Sequence, residues 1–141
     1  MDVLSVIEDG DFRVGSIQLS KHFDLDSAVR PELGGEPHGH TSVLSDMVPA
    51  TKRRSFAKAL SLLESSEFES GRVALFTCCC GDLGCGAVTV SITKSGDRVH
   101  WSDFGMESNW EKGLFQSDYM QRTGPFTFEY SAYLLELSGY R

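Results

Sequence analysis

Apolar residues follow a two-residue period in the middle of the chain and a helical period in the segments on either side. Val73, Leu75, Val88, Val90, Ile92, Val99 and Trp101 alternate with polar or small residues across three short runs. Successive strand side chains point to opposite faces, so this alternation predicts half-buried strands at Arg72–Cys80, Gly86–Thr93 and Arg98–Phe104. Ser95-Gly96 offers a two-residue turn between the second and third runs. Pairing outward from it sets Ile92 opposite Val99, Ser91 opposite His100 and Val90 opposite Trp101. The loop Gly81-Asp82-Leu83-Gly84 closes the first hairpin, with Cys80 opposite Cys85, Leu75 opposite Val90 and Thr77 opposite Val88. Both registers gather the same apolar set on one face, and a slip of one residue would scatter it.

Helical spacing occurs twice. Phe56, Ala59, Leu60 and Leu63 stand at i, i+3, i+4 and i+7, predicting a helix over about 51–66, with Thr51 or Ser55 as its cap. Lys52, Arg53 and Arg54 lie on its early turns, where cations oppose the helix dipole unless they serve another purpose. Tyr130, Tyr133, Leu134 and Leu137 predict a last helix over about 129–138, preceded by a short strand at Pro125–Phe128. Two apolar-rich runs, 3–7 and 12–19, flank the turn-prone Glu8-Asp9-Gly10-Asp11 and predict a hairpin. Residues 30–50 carry Pro31, Gly34, Gly35, Pro37, Gly39 and Pro49 and read as a long loop, as does 105–124. The expected architecture is one α+β domain over 1–141. It has a mostly antiparallel sheet (a meander at about 72–104 plus the N-terminal hairpin) and two packed helices.

A chain of 141 residues is of single-domain size. With 20 acidic and 13 basic residues the formal charge is −7, which argues against a nucleic-acid binder and is compatible with a basic protein partner. Asp2, Glu8 and Asp9 occupy the start of the chain, where a signal peptide carries positive charge, and no apolar run approaches the roughly 18 residues that span a membrane. The expected location is the cytoplasm, where cysteines are thiols, metal ligands or redox groups.

All four cysteines, Cys78, Cys79, Cys80 and Cys85, fall within eight residues. Alternation puts Cys78 and Cys80 on one strand face and pairing adds Cys85, while Cys79 turns to the core side as a small hydrophobe. Three convergent thiols suit a tetrahedral zinc site with a fourth ligand from elsewhere. His38 and His40 are candidates for that place, as is His22, whereas His100 lies too far along its strand. Plain reduced thiols and a redox pair of Cys80 with Cys85 are the alternatives. The carboxylates Asp24, Asp26, Glu32 and Glu36 read as a solvated loop, Trp101 and Trp110 as core, and Asp103 as a strand-end hydrogen bonder. No P-loop, G-x-G-x-x-G, H-E-x-x-H or G-x-S-x-G occurs.

The stretch GRVALFTCCCGDLGCGAVTV from Gly71 to Val90 resembles a family of small uncharacterised bacterial proteins. So do Val99, Trp101 and Asp103-Phe104-Gly105, and GPFTF from Gly124 to Phe128 with Tyr133. The likeness covers roughly the last 90 residues, with Thr77 standing where members often carry a further cysteine. It implies no particular activity. Small size, acidity and the lack of a catalytic constellation favour a non-enzymatic interaction domain, of immunity or inhibitor type, with the cysteine hairpin as a staple. The alternative is a thiol-redox or zinc-dependent enzyme using Cys78, Cys80 and Cys85.

Overall fold

Alternating runs near the start and in the middle of the chain close into antiparallel hairpins, and the two sheets they form share one buried core. The computed structural model describes residues 1–23, 25, 40–66, 68, 70–78, 86–108, 116 and 118–141, with backbone alone for Cys78, Asp118 and Tyr119. Strands β1 (Leu4–Val6), β2 (Phe12–Val14) and β3 (Ile17–Gln18) make a three-stranded sheet in that order. Strands β4 (His40–Ser42), β5 (Val73–Cys78), β6 (Ala87–Ser95), β7 (Arg98–Glu107) and β8 (Phe126–Glu129) make a five-stranded sheet in sequence order. Every neighbouring pair is antiparallel. The helices are α1 (Leu19–His22), α2 (Ala50–Leu60), α3 (Asp118–Gln121) and α4 (Tyr130–Leu137), so the α+β class holds. Of these four helices among the described residues, α1 and α3 are single turns that no apolar stripe announces.

The N-terminal hairpin forms, with Leu4 opposite Val14 and Val6 opposite Phe12, but the run 12–19 is not one strand: it turns after Val14, with Gly15 at φ +60°, into β3 and then enters α1 at Leu19. Its connecting turn, Glu8–Gly10, is fastened to the segment after β4. Ser42 Oγ donates to the Gly10 carbonyl, Ser45 Oγ donates to Asp9 at 2.7 Å, and a Cβ at Gly10 would lie 2.6 Å from the Leu44 carbonyl carbon. Phe12 then meets Phe76 and Trp101 edge-on at 5.7 and 6.1 Å between ring centres, which locks the small sheet onto one face of the large one.

Both meander registers differ from the sequence expectation. Ser95 pairs with Arg98, so the turn is Gly96-Asp97, with Gly96 supplying the positive φ (+61°) that a primed hairpin turn needs. The shift is two residues, so the faces are conserved: Ile92, not Val90, stands opposite Trp101, and Thr93, not Ser91, opposite His100. Beyond Ser91↔Ser102 the ladder resumes at Thr89↔Gly105, leaving an extra residue on β7 near Asp103, whose φ is +55°. This bulge turns Phe104 and Met106 to the face of Trp101. A second bulge at Leu75 sets Phe76 opposite Val88 and Thr77 opposite Ala87, in place of the expected Leu75–Val90 and Thr77–Val88 pairs. Val73, Leu75, Val88, Val90, Val99 and Trp101 are nonetheless all buried.

Helix α2 stops at Leu60, well short of residue 66. Leu63 N–H donates to the Lys58 carbonyl and Leu62 N–H to the Ala59 carbonyl, a Schellman ending with Leu62 in the left-handed region (φ +62°). Leu63, expected in the buried stripe, is therefore 53% exposed. Neither Thr51 nor Ser55 caps the helix, because it begins directly after Pro49. Arg53 folds back to donate to the Val48 and Ser45 carbonyls and pairs with Asp46, which accounts for a cation so close to a helix start. The stretch read as a long loop over 30–50 contains strand β4, and β7 runs to Glu107 into the second expected loop.

Candidate functional site

The first residues of the chain lie beside β8. Asp2 N–H donates to the Thr127 carbonyl at 2.8 Å, and the Asp2 carboxylate accepts from Thr127 N–H at 2.9 Å. Helix α4 leaves β8 directly, burying Tyr133 and Leu137, while Glu136 accepts from the Val6 N–H at 2.7 Å and ties the helix to β1. A groove of about 370 Å³ runs between the N-terminal segment and α4, over Leu4, Phe128 and Tyr133. Val3 and Leu135 line it and are 66% and 75% exposed. Asp2, Glu129 and Glu136 add carboxylates to the same lining. Apolar side chains are thus gathered at one concave place beside three carboxylates.

A second, polar cleft of about 310 Å³ lies where the two sheets meet, lined by Glu8, Asp9, Asp11, Gln18, Ser20, His40, Thr41, Ser42 and Phe76. Asp11 is buried and spent on structure: it accepts from Phe12 N–H, Gln18 Nε2 and the Ser20 hydroxyl. His40 enters the cleft from edge strand β4, and its partner across the ladder is Cys78.

Of the residues expected to hold a metal, Cys78 and His40 are thus brought opposite one another. Cys80, Cys85 and His38 lie outside the described residues, as do Cys79, Trp110, Asp24, Asp26, Glu32 and Glu36. Among the described residues no group of three or more histidine, cysteine or carboxylate side chains converges to hold a metal. His22 meets Thr123 Oγ1 at 2.9 Å, with burial holding its imidazole below the usual pKa, and His100 meets Thr127 Oγ1 at 3.1 Å.

A third cluster is partly screened from solvent. Arg72 pairs with Glu107 at 3.4 Å and donates to Thr89 Oγ1 and to the carbonyls of Thr89 and Asp103. Burial lowers the pKa of its guanidinium, while the charges of Glu107 and Asp103 oppose that shift. The cluster anchors the β7 bulge. The groove residues Val3 and Leu135 were not singled out from sequence. Leu135 offered a signal, since it falls off the Tyr130, Tyr133, Leu134 and Leu137 stripe and so belongs to the opposite side of α4.

No protein-family model, curated protein or solved structure matches the chain.

Proposed function

We propose that this protein is a non-enzymatic interaction domain that binds a partner protein through the groove between its N-terminal segment and α4. The observation that carries the reading is the joint exposure of Val3 and Leu135 beside the carboxylates of Asp2, Glu129 and Glu136. Such a surface suits a partner that presents large apolar side chains flanked by lysine or arginine. The apolar contact supplies affinity, and the opposite charges steer encounter. A net charge of −7 works in the same direction, and a small acidic domain that covers a basic surface fits an immunity or inhibitor type of role.

The test is capture of partners from the native host by the wild type, Leu135→Lys and Leu63→Lys, at low and high salt. Leu63 is exposed and is not among the residues that line the groove, so its variant is the control. A specific partner that Leu63→Lys retains, and that Leu135→Lys or high salt releases, supports the reading. A partner held equally by all three proteins at both salts overturns it. The second reading, a thiol-redox or zinc-dependent enzyme acting through Cys78, Cys80 and Cys85, draws support from the placement of His40 opposite Cys78. It requires function to disappear in a folded variant lacking those thiols.

A further inference from the structure

We propose that the occupant of the groove is a second copy of this chain, which docks the turn before its own α2 between the N-terminal segment and α4. The inference rests on the groove reading above and names its partner. The turn has the character that the groove asks for. Met47 within it is 63% exposed. Lys52 and Arg54 follow on the first turns of α2, both exposed. A large apolar side chain beside two cations thus meets a concavity that holds Val3, Leu135 and the carboxylates of Asp2, Glu129 and Glu136. An unbranched methionine adapts to an irregular pocket, and opposite charges around it set the register.

The turn is built in advance. Met47 N–H donates to Ser45 Oγ at 3.2 Å and Val48 N–H to the Ser45 carbonyl at 3.0 Å, while Ser45 Oγ is tied to Asp9. Arg53 clamps the Ser45 and Val48 carbonyls and takes up Asp46, the carboxylate next to Met47. A turn held in this way loses little freedom when it docks. Lys52 and Arg54 are unfavourable to the helix they stand on: its first turn has no acidic residue, and cations there oppose the dipole. A carboxylate brought by another molecule offsets that cost. One chain cannot satisfy itself. The start of α2 lies about 15 Å from its Leu60 end, and it is the Leu60 end that meets Tyr133, beneath the groove. The two surfaces differ, so the contact is heterologous: each copy gives its turn to one neighbour and takes the turn of another. The −7 charge of each copy opposes the approach, which keeps the association weak.

The experiment is sedimentation equilibrium of the full chain from about 10 µM to about 1 mM, a range that brackets a weak contact. The expected result is a mass that rises with concentration beyond that of a single chain. Leu135→Lys in the groove and Arg54→Glu beside the turn each raise the dissociation constant ~10-fold or more. Both side chains are exposed, so neither change touches the core. Leu63→Lys and Arg13→Glu make the same two changes at exposed places outside the groove lining, and they associate like the wild type. An equal mixture of Leu135→Lys and Arg54→Glu associates again, as a pair and no further, because one supplies a turn and the other a groove. A wild type that stays monomeric overturns the inference. So does association that survives either variant, that the controls also lose, or that the mixture fails to restore. A monomeric wild type that captures a host protein, which Leu135→Lys releases, leaves the groove reading standing, so the two proposals fail separately.

Discussion

The indole N–H of Trp101 donates to the hydroxyl of Tyr133 at 3.2 Å, and that hydroxyl donates onward to the Leu60 carbonyl at 2.5 Å. Leu60 ends α2, so its carbonyl is one of those a helix leaves without an internal partner. One phenol thus joins β7, α4 and the end of α2 inside the core. Tyr133→Phe leaves a buried N–H and a buried carbonyl unpaired, at about 1–3 kcal/mol each. Urea unfolding is expected to show a loss of about 2–4 kcal/mol. Trp101→Phe, which leaves the Tyr133–Leu60 bond in place, removes only the donor side of the relay. A loss below about 1 kcal/mol for Tyr133→Phe would mean that the relay is not a stabilising element.

The same phenol gives the fold an alkaline limit. Burial raises the Tyr133 pKa well above its usual value; the Trp101 hydrogen bond acts against that rise and the nearby Tyr130 adds to it. Folding therefore favours the neutral phenol. Its contribution is complete below the unfolded tyrosine pKa of about 10 and is lost as pH climbs above it. Wild-type stability measured between about pH 9 and 11 should fall more steeply than that of Tyr133→Phe. Equal slopes would place the titrating group elsewhere.

Alternation made the faces of the meander legible but not its ladder. Val73, Val88, Val90, Val99 and Trp101 are buried as their period implies, because a two-residue slip leaves every side chain on its own face. The slip itself, and the bulges at Leu75 and near Asp103, escape a pattern that counts only apolar positions. Leu63 extends the α2 stripe on paper, yet the chain turns at Leu62, a residue with none of glycine's freedom to mark the spot. Strand β4 is three residues long with a single buried side chain, so its partner β5, rather than its own composition, defines it. The zinc candidates were visible as a cysteine cluster. That His40 pairs with Cys78 depends on cross-strand pairing between segments far apart in sequence, and no local spacing records that.

The Arg72–Glu107 pair is expected to behave as a buried ion pair. Their side chains are 11% and 9% exposed, and Ser70 also donates to Glu107. Replacing Glu107 by Gln removes the larger of the two carboxylate charges that act on the guanidinium and leaves it with Asp103 and the Thr89 and Asp103 carbonyls. A loss of about 1.5–3 kcal/mol follows, the range for losing a charge-assisted bond. Glu64→Gln provides the contrast: Glu64 pairs with Lys58 at the surface and should change stability by less than about 1 kcal/mol. If Glu107→Gln costs no more than Glu64→Gln, the Arg72 cluster does not hold the bulge.

Thr77 is expected to respond in the opposite sense. It is fully buried at the end of β5, opposite Thr41 and Ala87, and its hydroxyl has no hydrogen-bond partner among the described residues. A buried, unpaired hydroxyl has given up its water without replacement, at about 1–3 kcal/mol. Valine keeps the branched shape that suits a strand and removes the oxygen. Thr77→Val should therefore raise the urea midpoint at constant m-value, by an amount equivalent to about 1 kcal/mol. Thr41→Val is the companion measurement. Thr41 is half-buried and lines the polar cleft, so its hydroxyl retains access to water and its replacement should change stability little. The ordering of the two variants carries the argument: stabilisation at 77 exceeding that at 41 is expected of a desolvated hydroxyl. A destabilised Thr77→Val would show that this oxygen has a partner in the folded protein.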